Sequence, residues 1–317
     1  MTEEMSYHEA RSRSLFRALD SDPSIVLLGG GVSLPFNPDD GLSSRYADRI
    51  IWPPVSEFGV AAVGIGLALS GLRPLIPLTT ASFMFYAWAP VVNEAPNIRY
   101  LSGGTASAPV VFHVMAGSRR GGGAQHEHTP QSMLQNVPGL RVYLPGTPAA
   151  IDAAFHQALT GDDPSVIVDH TALAEARGLV SEVPSGLHPT VLRAGTDVLV
   201  ISSSLMTQRA LAAADQLADE GLSVGVLDVP VINPLDVDGI LSVARAFGVV
   251  LCIDESRASG SPATRMAAII AEGNPGVRLR LLATADVPAP FAPNLVDEIS
   301  TGPARIAREI RELLHLT

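Results

Sequence analysis

Residues 121–130 read GGGAQHEHTP, which places Gln125, His126, Glu127 and His128 behind three glycines. Zinc proteases present two histidines four apart on one helix face with a glutamate beside the first. Here the histidines are two apart, a spacing that a strand or loop could offer to a metal, and no third ligand is nominated. A polar loop without chemistry is the second reading. The favoured one is a histidine at the mouth of a cleft, available as acid or base near neutral pH. A second candidate is Glu57 in PPVSEFG, at the start of the most apolar helix of the chain. A carboxylate there is favoured by the helix dipole, so a helix-start role is open. Burial among Val55, Val60 and Val63 would instead raise its pKa, as a proton-exchanging acid requires.

Other patterns carry less. Gly64, Gly66 and Gly71 suggest a dinucleotide fingerprint, but Leu69 stands where the third glycine belongs, and close helix packing through small residues accounts for them better. No Gly-Lys-Ser/Thr phosphate loop is present. Gly29, Gly30 and Gly31 follow a strand and could cradle a phosphate, a weak signal. The single cysteine, Cys252, lies in the apolar run VVLCIDE and reads as an inert strand residue.

The elements that position these residues belong to a chain of 317 residues, longer than one core usually serves, so two domains are expected. Hydrophobic residues make up 47% and charged residues 17%, which means much of the chain must be hidden in a core or against other chains. A net charge of −11 argues against a nucleic-acid partner. The longest apolar stretch, FGVAAVGIGLALSGL, is short for a membrane span, and the polar start MTEEMSYHEARSRS lacks the order of a secretory signal. A cytoplasmic location without membrane contact is expected.

Helix and strand alternate from residue 7: a helix over YHEARSRSLFRALDSD, a strand SIVLLGGG, a helix from Glu57, a strand RPLIPL, a helix through Trp88, then a strand PVVFHVM. LRVYLP, a helix opened by Thr147 and SVIVDH follow. The strands are continuous apolar runs, which predicts parallel sheets covered on both faces. ARGLVSEVPSGLHPT is turn-rich and reads as a linker. Domains are therefore expected over 1–180 and 190–317, the second repeating the alternation from DVLVISSS to the amphipathic helix in PARIAREIRELLHL.

Several stretches, in order, resemble the beta subunit of the thiamine diphosphate-dependent decarboxylating component of 2-oxo acid dehydrogenases, the pyruvate and branched-chain type. They are RIIWPPVSEFGVAAVGIGLALSGLRPLI, SFMFYAWAPVVNEAPNIRYLSGG, the segment from GGGAQHEHTP to AFHQAL, VLRAGTDVLVISSS onward to VINPLD, and TADVPAPFAPNL. The resemblance implies an α/β fold with a transketolase-like pyrimidine-binding domain and a transketolase C-terminal-like domain. It implies an alpha-type partner, two of each chain, holding the cofactor's diphosphate and magnesium through a GDG motif that this chain lacks. A lipoyl-bearing acyltransferase is a further implied partner. Glu57 then matches the glutamate on the cofactor's aminopyrimidine, Phe83 the aromatic that stacks on that ring, and His126 the histidine near substrate and acyl acceptor.

The chain departs from that pattern. Gly30 replaces an acidic cofactor contact, Ser82 an Asp or Asn, Ala89 and Pro90 an Asp-Gln pair, His113 an arginine, and Glu127 a serine. Asp228–Val231 read DVPV where DLRT is usual. These departures motivate one alternative, a carboligase, acyloin-cleaving or aldehyde-forming enzyme of the same cofactor. A catalytically silent structural subunit is the other, and the retention of Glu57, Phe83 and His126 opposes it.

Overall fold

A computed structural model describes residues 2–29, 41–117, 121–184 and 186–315, which form two compact units. The first comprises residues 1–116, 136–143 and 147–187, and the second 117–135, 144–146 and 188–317.

In the first unit, β1 (Thr2–Ser6) leads into α1 (Tyr7–Ser21) through a capping box. The Ser6 hydroxyl accepts the Glu9 N–H at 3.2 Å while the Glu9 carboxylate accepts the Ser6 N–H at 2.7 Å. There follow β2 (Ile25–Leu28), β3 (Ile50–Ile51), α2 (Glu57–Leu69), β4 (Arg73–Thr80), α3 (Ala95–Leu101), β5 (Val111–Ala116), β6 (Arg141–Tyr143), α4 (Pro148–Thr160), β7 (Ser165–His170) and β8 (Arg177–Ser181). Six of these strands run in parallel in the order β6-β7-β5-β4-β2-β3. Leu27, Leu75, Ile76, Phe112, Val166 and Ile167 are wholly buried on them, as continuous apolar strands require. α1 packs on α4, with Leu15, Ile151 and Phe155 buried.

Three expectations are corrected here. The segment read as a linker carries β8, which pairs antiparallel with β1 through Thr2↔Ser181 to Ser6↔Arg177. Its partner lies at the other end of the unit, so no local pattern announces it. The helix expected through Trp88 is not one α-helix. A 3₁₀ stretch, Ala81–Ala87, carries Phe83 and is followed by a π-helical turn, Pro90–Glu94, before α3 begins. Pro90 has no N–H for the i−4 carbonyl, which explains why the regular α ladder fails there. Of the glycines read as small packing residues, Gly64 fits: a Cβ on it would lie 2.2 Å from Ile76 Cδ1. Gly66 does not, since a Cβ there would meet open space.

The second unit contains β9 (Thr190–Arg193), β10 (Val198–Ser202), α5 (Leu205–Ala218), β11 (Val224–Asp228), β12 (Val231–Asn233), α6 (Val237–Ala244), β13 (Val249–Arg257), α7 (Pro262–Gly273), β14 (Arg278–Thr284), α8 (Pro293–Ile299) and α9 (Pro303–Leu313). Its sheet runs β14-β13-β10-β11-β9, parallel except for β9, an antiparallel edge strand the sequence reading missed. Leu199, Ile201, Leu227, Val250, Cys252, Met266 and Ile270 form its core. Cys252 is wholly buried there, and burial pushes its thiol up to about 12, as an inert strand cysteine should be. Among the described residues no helix is long and apolar enough to cross a membrane.

Candidate functional site

Glu57 opens α2. Ser56 is its N-cap, extended in backbone, and its hydroxyl accepts the Gly59 N–H at 3.2 Å. The cap fixes where the helix begins and so places Glu57 in the first turn, at the positive end of the helix dipole. Glu57 is half-buried and lines an open cleft of about 430 Å³ with Gly29, Pro53, Pro54, Val55, Ser56, Val60, Pro77, Leu78 and Thr79. Of these residues only Glu57 is ionisable. The apolar enclosure expected from Val55, Val60 and Val63 is absent in this chain: Val55 is 94% exposed and Val63 55%. Phe58, Trp52 and Leu69 are exposed beside them, so one face of α2 lies uncovered.

The opposite wall comes from a distortion of β4. Its register with β5 shifts between Pro77 and Thr80, where the proline removes a ladder donor. Within that shift Thr79 adopts φ +59°, an unusual conformation for a β-branched residue that costs about 1–3 kcal/mol. Gly29 faces it, and a Cβ on Gly29 would lie 3.2 Å from Pro77 Cδ. Sequence reasoning missed Thr79; the sign available was a proline inside an otherwise central strand. Phe83 lies half-buried on the turn that follows β4 and does not line the cleft. Gly30 lies outside the described residues.

In the same sheet, His113 and Asp169 are buried side by side on β5 and β7, with His113 Nε2 3.1 Å from the carboxylate. Arg11 of α1 donates to the same carboxylate at 2.6 Å. Burial alone would raise the Asp169 pKa, but the Arg11 charge and His113 hold it well below the usual range. Burial lowers His113, so it is a neutral partner, and the positive charge expected on this strand is supplied by Arg11 instead.

His126 belongs to the second unit. It ends a one-turn helix, Gly123–His126, and is half-buried. Glu127 beside it is buried, and its carboxylate accepts the Gly122 N–H at 2.9 Å. The His128 carbonyl accepts the Gly117 N–H at 3.2 Å; burial, then the Arg257 charge, lowers the His128 pKa, so this imidazole is neutral at pH 7. Downstream, Gln135 donates to the Gly260 carbonyl at 2.7 Å. Among the described residues no group of three or more His, Cys, Asp or Glu side chains is placed to hold a metal ion.

Two family models match: the transketolase pyrimidine-binding domain over residues 3–175, and the transketolase C-terminal domain over residues 188–306. The beta subunit of acetoin:2,6-dichlorophenolindophenol oxidoreductase from Cupriavidus necator is 30% identical, with 99% of this chain and 98% of that protein covered. The 2-oxoisovalerate dehydrogenase subunit beta of Bacillus subtilis is also 30% identical, covering 98% of each. The mitochondrial pyruvate dehydrogenase E1 component subunit beta-2 of Oryza sativa subsp. japonica is 30% identical over 92% of this chain and 81% of its own. A solved split-gene transketolase chain, from an inactive beta4 tetramer, superposes with a TM-score of 0.81 at 22% identity over 98% of this chain and 99% of that one, a likeness of fold. By its two matched domains and its full-length relatives, the chain belongs to the transketolase-like family of beta subunits of thiamine diphosphate-dependent 2-oxo acid dehydrogenases.

Proposed function

We propose that this chain forms its active site together with an alpha-type partner, two of each chain, and that Glu57 is the acid that holds a proton at the pyrimidine ring nitrogen of thiamine diphosphate. The observation that carries the reading is the cleft itself: one carboxylate at a capped helix start, facing walls of proline, valine, leucine and threonine. Such a lining suits a flat aminopyrimidine, whose ring asks for apolar faces and one hydrogen-bonding acid at its edge. Phe83, on the turn after β4 and outside the cleft's own lining, supplies the stacking face once the alpha-type chain closes the site. When bound, the cofactor supplies the carbanion-stabilising chemistry for cleaving a bond next to a carbonyl.

The chain's own groups divide the remaining work. Glu57 exchanges a proton with the ring, and a half-buried carboxylate gains strength as an acid–base group once a partner excludes water from it. The uncovered face of α2, with Phe58, Val63 and Leu69, is the surface on which the alpha-type chain docks, so pairing and enclosure of Glu57 are one event. His126 handles the substrate or its acyl product. The diphosphate and magnesium are held by the alpha-type chain, and a lipoyl-bearing acyltransferase receives the acyl unit. The compartment is the cytoplasm.

A second reading keeps the cofactor and changes the substrate: cleavage of an acyloin in place of decarboxylation of a 2-oxo acid. The full-length likeness to an acetoin oxidoreductase subunit favours it. Coexpression with an alpha-type chain, followed by native mass measurement and calorimetric titration with thiamine diphosphate and magnesium, tests the assembly. Two of each chain with magnesium-dependent binding is expected. Tight magnesium-dependent binding to this chain alone would overturn it.

A further inference from the structure

We propose that Glu127 is a positioning residue for His126, fixing the glycine turn that carries the imidazole by accepting the Gly122 amide inside the second unit. The inference rests on the reading of His126 given above. Glutamate is seldom fully buried, yet Glu127 is 2% exposed while its chain neighbour His126 is half-buried. The two consecutive side chains therefore have opposite surroundings.

Glu127 closes the turn twice. Its backbone N–H donates to the Gly123 carbonyl at 3.1 Å, and its side-chain Oε1 accepts the Gly122 N–H at 2.9 Å. The residues between these two bonds include the whole one-turn helix that ends at His126. The glycines are required by the same packing. A Cβ on Gly122 would lie 2.9 Å from Glu127 Cγ and 3.3 Å from His126 Cβ, so the carboxylate's stem already fills the space a larger residue would need. Gly123 has φ +64°, and a Cβ there would lie 2.5 Å from the Phe291 ring, which leans on the turn.

The carboxylate also has a seat. Glu127 lines a small pocket with Thr129, Glu255, Arg257 and Thr284, among other residues of the second unit. Arg257 is itself held, its Nε and Nη2 donating to the Val287 carbonyl at 3.1 and 2.8 Å. The serine that the family resemblance expects at this position is two carbons shorter and could not close the same ring.

The test uses the assembled enzyme, with Glu127→Ala and Glu127→Gln each made in the wild-type and the His126→Ala backgrounds. Glu127→Ala is expected to lower kcat about ten- to a hundredfold, the scale of loss for a misplaced catalytic group, and to speed amide exchange in the peptide spanning Gly121–Glu127. Hydrogen exchange at the cofactor's thiazolium carbon should be unchanged. Glu127→Gln should recover most of the activity, because an amide oxygen still accepts the Gly122 N–H. In the His126→Ala background, Glu127→Ala should cost nothing further. An equal loss in that background, or amide exchange unchanged by Glu127→Ala, would overturn the proposal. If His126→Ala alone leaves turnover intact, the reading of His126 fails, while the amide exchange still decides whether Glu127 fixes the turn.

Discussion

Asp254 makes the second unit sensitive to pH in a direction that can be worked out. It is 2% exposed at the C-terminal part of β13, where its carboxylate accepts the Ser256 N–H at 2.6 Å and hydrogen-bonds Gln131, in the segment that follows His126. Burial pushes its pKa up to about 6 from an ordinary 3.8, with the hydrogen bonds opposing. Below pH 3.8 the carboxyl is protonated whether the unit is folded or not, and contributes nothing. As pH rises to about 6 the unfolded chain ionises while the folded one keeps its proton, so stability is lost across that window. At 1.36 kcal/mol per unit, the difference of 2.2 amounts to about 3 kcal/mol in all, of which about 2 kcal/mol falls between pH 4.5 and 7.5. Asp254→Asn keeps the shape and most hydrogen bonds but removes the ionisation. The stability of wild type relative to Asp254→Asn should therefore fall by about 2 kcal/mol over that range. Cys252 provides the assay, being the only cysteine, buried, and two residues away on the same strand. Samples equilibrated in urea at each pH receive a brief thiol-labelling pulse at one fixed pH, which reads how often β13 opens. Wild-type and mutant stability curves that stay parallel with pH would refute the reasoning.

Other consequences follow from particular contacts. His126→Ala in the assembled enzyme should lower turnover about a hundredfold with cofactor affinity kept, whereas His128→Ala, removing a neutral imidazole from the same loop, should matter much less in steady-state kinetics. Gly64→Ala forces a Cβ to 2.2 Å from Ile76 Cδ1. Overpacking of about 1–3 kcal/mol against a helix-propensity gain of about 1 kcal/mol should lower stability and loosen α2, seen as an earlier thermal transition. Phe58→Asp, on the uncovered face of α2, should leave the circular dichroism of the isolated chain unchanged and prevent pairing with the alpha-type chain in size-exclusion chromatography.

Local chemistry was legible in the sequence where local chemistry decides the outcome. Thr147 announces a helix start because its hydroxyl accepts an amide of its own first turn, and the structure shows Ser6 and Ser56 capping their helices in the same way. The apolar runs gave the parallel strands, since strands buried on both faces need no alternation. What stayed hidden depends on distant partners. β8 is a strand because β1 pairs with it, and β9 because β11 does. Thr79 takes its positive φ from a register shift in β4, which only the proline at 77 hints at. Glu127 read as part of a polar loop, yet it is interior because Gly122 offers it an amide and leaves room for its stem. The enclosure expected around Glu57 was read from three neighbouring valines, of which Val60 lines the cleft while Val55 and Val63 are exposed, because sequence proximity does not say which side chains another element covers.

The central claim is that Glu57 holds and moves a proton at the cofactor and is more than a helix-start carboxylate. Its most direct test is hydrogen–deuterium exchange at the thiazolium carbon of thiamine diphosphate in the reconstituted assembly, wild type against Glu57→Gln. An amide can still hydrogen-bond the ring but cannot exchange a proton with it at useful pH. The account predicts an intact assembly in which that exchange is nearly abolished; exchange equally fast in both would contradict it and leave Glu57 as a capping residue in a structural subunit.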